Sequence, residues 1–179
     1  YKAGDYAVAL LELRPLAEQD NDWAQHYLGQ MYFDGEGVIQ DYAEAAKWWR
    51  LAAEQGDADA QNYMGILYYL GFGVQKDYKK SLEWYGRAAK AGHADAQRNY
   101  GDMINFGRGI QRSNQEAYKW YFAASQQGNQ KAARQIEVLA ASGNLSPNQQ
   151  MHAKIEANEF ILDEEKRFMS HDTYINKNN

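Results

Sequence analysis

The chain has 179 residues, 45% of them hydrophobic and 14% aromatic, which is enough apolar material for the core of one domain and too much for a disordered tail. Its formal charge of -5 argues against a nucleic-acid partner, because phosphate-backbone binding is supported by clustered cations. With no cysteine there is neither a disulfide framework nor a thiolate metal site, and no apolar run approaches the roughly 18 residues of a membrane helix, so membrane insertion is not expected.

Internal repetition sets the architecture. Ala24-Gln25, Ala60-Gln61 and Ala96-Gln97 recur at a constant offset of 36 residues. Gly29, Gly65 and Gly101 follow in the same register. So do the pairs Gly35/Gly37, Gly71/Gly73 and Gly107/Gly109, then Trp48, Trp84 and Trp120, and finally Gly56, Gly92 and Gly128. The chain opens in the second half of an incomplete unit, since Asp5, Tyr6, Ala9, Leu13, Leu16 and Ala17 precede Asp41, Tyr42, Ala45, Trp49, Ala52 and Ala53 by one period. Pro15 lies inside that segment, where it removes a backbone hydrogen bond and is expected to bend or end the helix.

Each full unit reads as a helical hairpin. In the first, Ala24, Leu28, Met31, Tyr32 and Gly35 share one helical face, as do Ala45, Trp48, Trp49, Ala52 and Ala53. These helices are termed A and B. Gly-x-Gly separates A from B, and Gly56-Asp57, Gly92-His93 and Gly128-Asn129 separate B from the next A. Glycine inside helix A costs about 1 kcal/mol against alanine, so Gly29, Gly65 and Gly101 are expected to permit close helix approach. A phosphate cradle would need a strand before the glycines, and none is predicted. The tryptophans at 48, 84 and 120 recur among small residues and are expected in the core, whereas Trp23 does not repeat and is expected to be partly exposed.

The pattern Ala-x3-Leu-Gly-x-Met-Tyr-x2-Gly-x-Gly-Val-x2-Asp-x3-Ala-x2-Trp-x3-Ala-Ala-x2-Gly-x3-Ala, running from Ala24 to Ala60, resembles the Sel-one-like repeat, which belongs with the tetratricopeptide-type superhelices. The resemblance extends from Asp5 to about Gly143. It implies an all-α fold, a right-handed superhelix or solenoid of helix-turn-helix repeats, that acts in bacterial protein-protein complexes. The expected role is a scaffold or adaptor for a protein or peptide segment. The alternative is a dedicated inhibitor, since some members of the family are immunity proteins that block a secreted toxin. The chain starts at Tyr1 rather than methionine, so a removed signal peptide or a trimmed start is expected. That favours a bacterial periplasmic or secreted location over the cytoplasm.

A single solenoid domain is expected over 1–168. It comprises a partial unit at 1–23, full repeats at 24–59, 60–95 and 96–131, and a degenerate repeat with a C-terminal capping helix at 132–168. In that last unit Glu137 replaces the packing glycine and Leu145 the second loop glycine. Ser146-Pro147-Asn148-Gln149 then forms a helix-start signal, with serine at the N-cap and glutamine placed for a capping box. The final helix is expected to run to about Phe168 and to pack through a stripe of Met151, Ile155 and Leu162. The polar, aperiodic stretch at 169–179 is expected to be disordered.

No constellation of residues predicts chemistry. His26, His93, His152 and His171 are far apart and form no metal-ligand spacing, and His93 takes a turn slot held by Asp57 and Asn129 in other units. Asp57 and Asp59 lack the glycine and terminal glutamate of a calcium loop. An enzyme, a metal and a cofactor are therefore not expected. Function is sought where the repeats differ. On helix A, 100° per residue sets His26, Gln30 and Phe33 opposite the core, with Asn62, Ile66 and Tyr69 and then Arg98, Asp102 and Asn105 as equivalents. Together with Tyr63 they are the candidate partner face, and the resemblance makes that face concave.

Overall fold

The computed structural model describes the backbone of residues 6–177 and, apart from Ala7, Glu165 and 167–177, their side chains. The fold is an all-α solenoid of repeated helix-turn-helix units. B helices are α1 (Tyr6–Glu18), α3 (Tyr42–Gln55), α5 (Tyr78–Lys90), α7 (Asn114–Gln126) and α9 (Pro147–Lys177). A helices are α2 (Asp22–Asp34), α4 (Ala58–Leu70), α6 (Ala94–Asn105) and α8 (Gln130–Ala141). Two compact units divide the chain, Tyr1–Ala88 and Ala89–Asn179.

Local chemistry starts and stops these helices at the expected places. Asn21, Asp57, His93 and Asn129 each cap an A helix by accepting the N–H of an alanine three residues on, His93 through Nδ1 at 3.1 Å. Asp41, Asp77 and Ser113 cap α3, α5 and α7. At α9 the capping box is reciprocal, with the Ser146 N–H donating to Gln149 Oε1 and the Gln149 N–H to Ser146 Oγ. Glycines at positive φ end α2, α3 and α4. The slot of Gly56, Gly92 and Gly128 is filled in the first turn by Asp20, also at positive φ.

In the first unit α1 packs on α2, α2 on α3 and α3 on α4. One core cluster holds Ala9, Leu13, Leu28, Met31 and Trp48, and the next holds Trp49, Ala53, Met64, Leu67 and Tyr68. In the second unit α6 packs on α7, and α7 on both α8 and α9. Buried glutamines repeat with the helices. Gln25, Gln61 and Gln97 donate through Nε2 to the carbonyls of Ala17, Ala53 and Ala89, satisfying a carbonyl near the C-terminal end of the preceding B helix.

One expectation is narrowed and three are corrected. The helix α1 does not end at Pro15 but runs through it to Glu18; the carbonyl deprived of its donor belongs to Leu11, which is 75% exposed, so water can replace the lost bond. Trp84 is only half-buried, unlike Trp48 and Trp120, and the Arg87 guanidinium lies over its ring at 4.4 Å. The stripe of Met151, Ile155 and Leu162 does not pack; these residues are 58%, 48% and 53% exposed. Instead α9 lies on α7 through the fully buried Ala153 and Ala157 and through Phe160, whose ring meets Trp120 edge-on at 5.1 Å. Small side chains bring the helix axes close, and the bulkier stripe on the opposite side is left outside. Finally, α9 continues past Phe168 to Lys177, so 170–177 is helical where an aperiodic tail was expected, and no glycine or proline interrupts it there. Asp5, Asn178 and Asn179 lie outside the described residues.

Candidate functional site

The A helices place the candidate residues by periodicity, and the B-helix ring beneath them decides how they meet. Position 49 and its equivalents 85 and 121 are aromatic in each full repeat, and Trp49, Tyr85 and Tyr121 are all buried. Each lies against the glycine of its own A helix. A Cβ on Gly29 would stand 2.6 Å from Trp49 Nε1, one on Gly65 2.6 Å from Tyr85 Cε1, and one on Gly101 2.8 Å from Tyr121 Cε1. The ring thus rises through the glycine notch toward the A-helix face.

In the first unit this brings a group of rings together. Trp49 stacks on Tyr63 with centroids 4.2 Å apart and planes inclined by 3°. Phe33 lies 5.2 Å from Trp49 and 6.4 Å from Tyr63, and His26 lies 6.1 Å from Tyr63. The Trp49 Nε1–H donates to the His26 carbonyl at 3.1 Å, fixing the ring. His26 Nδ1 stands 3.2 Å from Asp57 Oδ2, beside the N-terminus of α4. Burial by itself would raise the Asp57 carboxyl, but His26 and the Ala60 N–H outweigh it and hold the group below its ordinary 3.8. Tyr69 meets Tyr78 at 5.5 Å, Asn62 is buried, and Ile66 is half-buried. Gln30 stands apart from the rings, lining a cavity of about 190 Å³ with Tyr6, Leu13, Tyr27 and Met31.

In the second unit the same positions build a polar network. Arg98 Nη1 donates to Asp102 Oδ2 at 2.7 Å, and the Tyr121 hydroxyl donates to Asp102 Oδ1 at 2.7 Å. Asn105 is buried and bonded to the Tyr121 hydroxyl. Burial, then the Asp102 charge, pushes the Tyr121 phenol far above its ordinary range. Periodicity placed Arg98, Asp102 and Asn105 on one face; it did not reveal that Tyr121 joins them. The signal was the aromatic column at 49, 85 and 121, set one period apart like the glycines it fills.

Among the described residues no group of three or more histidines and carboxylates could hold a metal ion, and no helix is long and apolar enough to cross a membrane.

Known proteins agree with this geometry. The Sel1 repeat profile matches residues 24–57, 58–93 and 94–129. A Sel1 repeat protein from Oxalobacter formigenes is 38% identical with a TM-score of 0.66, over 72% of this chain and 96% of its own. The protein c5321, a protective antigen of uropathogenic Escherichia coli strains with an SLR fold, is 30% identical with a TM-score of 0.75. The match covers 87% of this chain but only 34% of that one. Cysteine-rich protein B of Helicobacter pylori shares the fold at 17% identity and a TM-score of 0.59, over 74% of this chain and 96% of its own. No curated protein sequence matches the chain. With three consecutive repeats, each carrying the helix pair and the ring in its glycine notch, the chain belongs to the Sel1 repeat family, whose tetratricopeptide-like units are non-catalytic scaffolds for protein-protein interaction.

Proposed function

We propose that this scaffold holds its protein partner on its A-helix faces. In the first unit these are formed by His26, Gln30, Phe33, Asn62, Tyr63, Ile66 and Tyr69, and in the second by Arg98, Asp102 and Asn105. One observation carries the reading. Phe33, Tyr63, Ile66 and Tyr69 stay half-buried, while the core positions of the same helices, such as Ala24, Leu28, Ala60, Met64 and Leu67, are buried completely. Large apolar side chains that packing has absorbed only in part, and that change from repeat to repeat, are suited to a partner as well as to the fold.

The test is the double change Ile66→Asp with Tyr69→Ala. Helical circular dichroism and cooperative unfolding should remain, while capture of the partner identified from the source cell weakens at least about tenfold, the effect of about 1.4 kcal/mol. Lys79 and Lys80, exposed at the start of α5, serve as the control pair and should change neither property on substitution by alanine. Unfolding of the double variant would assign the two residues to the core. Normal capture by a folded variant would remove the A-helix face from consideration.

A further inference from the structure

The rings of the first unit sit in an electrostatic setting that narrows the partner's chemistry. Neither α2 nor α4 contains a lysine or an arginine. The described cations of this unit are on the B helices, apart from Lys76 in the loop before α5. Three of them reach the A helices at Tyr32 and Tyr68. Arg14 donates to the Tyr32 hydroxyl at 2.7 Å, Arg50 donates to the Tyr68 hydroxyl at 3.0 Å, and Lys80 Nζ lies over the Tyr68 ring at 5.3 Å; Tyr68 is about 200° around α4 from Ile66. A carboxylate, by contrast, shares the ring-bearing face: Asp59, which is exposed, precedes Tyr63 and Ile66 by one and two helical turns. The second unit differs at the equivalent positions, with Arg98 on α6 and Lys131 and Arg134 on α8.

We infer that the A-helix face of the first unit receives a basic segment of the partner protein, with arginine or lysine side chains laid over Phe33 and Tyr63 and held by Asp59. Aromatic faces attract cations through their quadrupoles, and nearby carboxylates add charge-assisted hydrogen bonds. A face whose helices carry no lysine or arginine repels little in such a segment and disfavours an acidic one. This inference rests on the proposal that the partner is held on the A-helix face and specifies the chemistry of what binds there.

Isothermal titration of the full chain with a short arginine-glycine-serine peptide tests it, beside a second peptide with glutamate at every arginine. The arginine peptide should bind and the glutamate peptide should not, and binding should weaken with added salt. Charge reversal by Asp59→Lys should weaken it at least about tenfold while helical circular dichroism and cooperative unfolding are retained. The same charge change on a B helix, Glu54→Lys, should leave it within about twofold. Equal binding of the two peptides, binding of neither, or equal loss in both charge-reversed variants would overturn the inference. Its failure is separable from that of the wider proposal. If partner capture is lost in the Ile66/Tyr69 variant but the arginine peptide does not bind, only the basic segment is wrong.

Discussion

Trp49 and Gly29 form a ring and a notch: the indole occupies the space a Cβ on Gly29 would fill, and its Nε1–H donates to the His26 carbonyl one turn earlier on α2. The pair explains why a helix former does not replace a helix breaker at 29, 65 and 101. Alanine would favour an isolated helix by about 1 kcal/mol, yet here it would collide with a ring that has nowhere to go. Gly65→Ala, against Tyr85, is therefore expected to lower stability by about 1–3 kcal/mol in urea unfolding. A gain in stability would mean that Tyr85 swings aside freely and that the notch is not a packing requirement.

The first B-to-A turn contains the opposite case. Asp20 holds φ at 62° in the slot occupied by glycine in the later turns. At Gly56, Gly92 and Gly128 a Cβ would meet nothing within 4 Å, so backbone strain rather than crowding decides the preference. Asp20→Gly is expected to raise stability by about 0.5–1 kcal/mol, whereas Gly92→Asp should lower it by a similar amount. Thermal unfolding of both variants checks the pair. Equal shifts of the same sign would show that the turns are not equivalent.

Asp57 gives the fold an acid-side dependence. Its carboxyl titrates below the ordinary 3.8 in the folded chain. Its stabilising contribution is thus fully present above that value and is lost as pH falls through the folded pKa. An asparagine in its place would keep the cap on α4 but lose the titration, so Asp57→Asn should lower stability modestly at pH 7 and flatten its decline below about pH 4. Parallel acid slopes for both proteins would remove Asp57 from the account.

Much of the fold was legible because packing repeats. A column such as Ala9, Ala45, Ser81, Ala117 and Ala153 is small wherever it occurs, and it is buried wherever it occurs. Register alone therefore located the hairpins, their caps and the glycine notches. The misread stripe of α9 has a physical cause. Periodicity tells which residues share a helix face, but the face that packs is chosen by how closely two axes approach. In α9 the alanines won over Met151, Ile155 and Leu162. The candidate face was legible as variation between repeats; its ring stacking was not, because Trp49 and Tyr63 come from different repeats and meet only through the stack.

Tyr121 is the ring of the second unit that fills its notch while bonding two other side chains, and its hydroxyl is expected to matter twice. At neutral pH it donates to Asp102 and is bonded to Asn105, both already on the candidate face with Arg98. Tyr121→Phe keeps the packing against Gly101 but leaves a carboxylate oxygen and a buried amide short of a partner, a loss of about 1–3 kcal/mol in urea unfolding. The second effect is alkaline. Burial first, and then Asp102, push the folded phenol far above its ordinary value of 10.0. A group whose pKa is raised on folding contributes stability that is fully present below the unfolded value and is lost as pH rises toward the folded one. The protein should therefore lose stability as pH climbs above about 10, and the phenylalanine variant should lose less over the same range. Absorbance titration supplies the matching signal, because Tyr121 should ionise only together with unfolding. An unchanged alkaline slope, or phenolate formation by Tyr121 in the still-folded chain, would mean that its hydroxyl is open to water and that Arg98, Asp102 and Asn105 are not tied together by it.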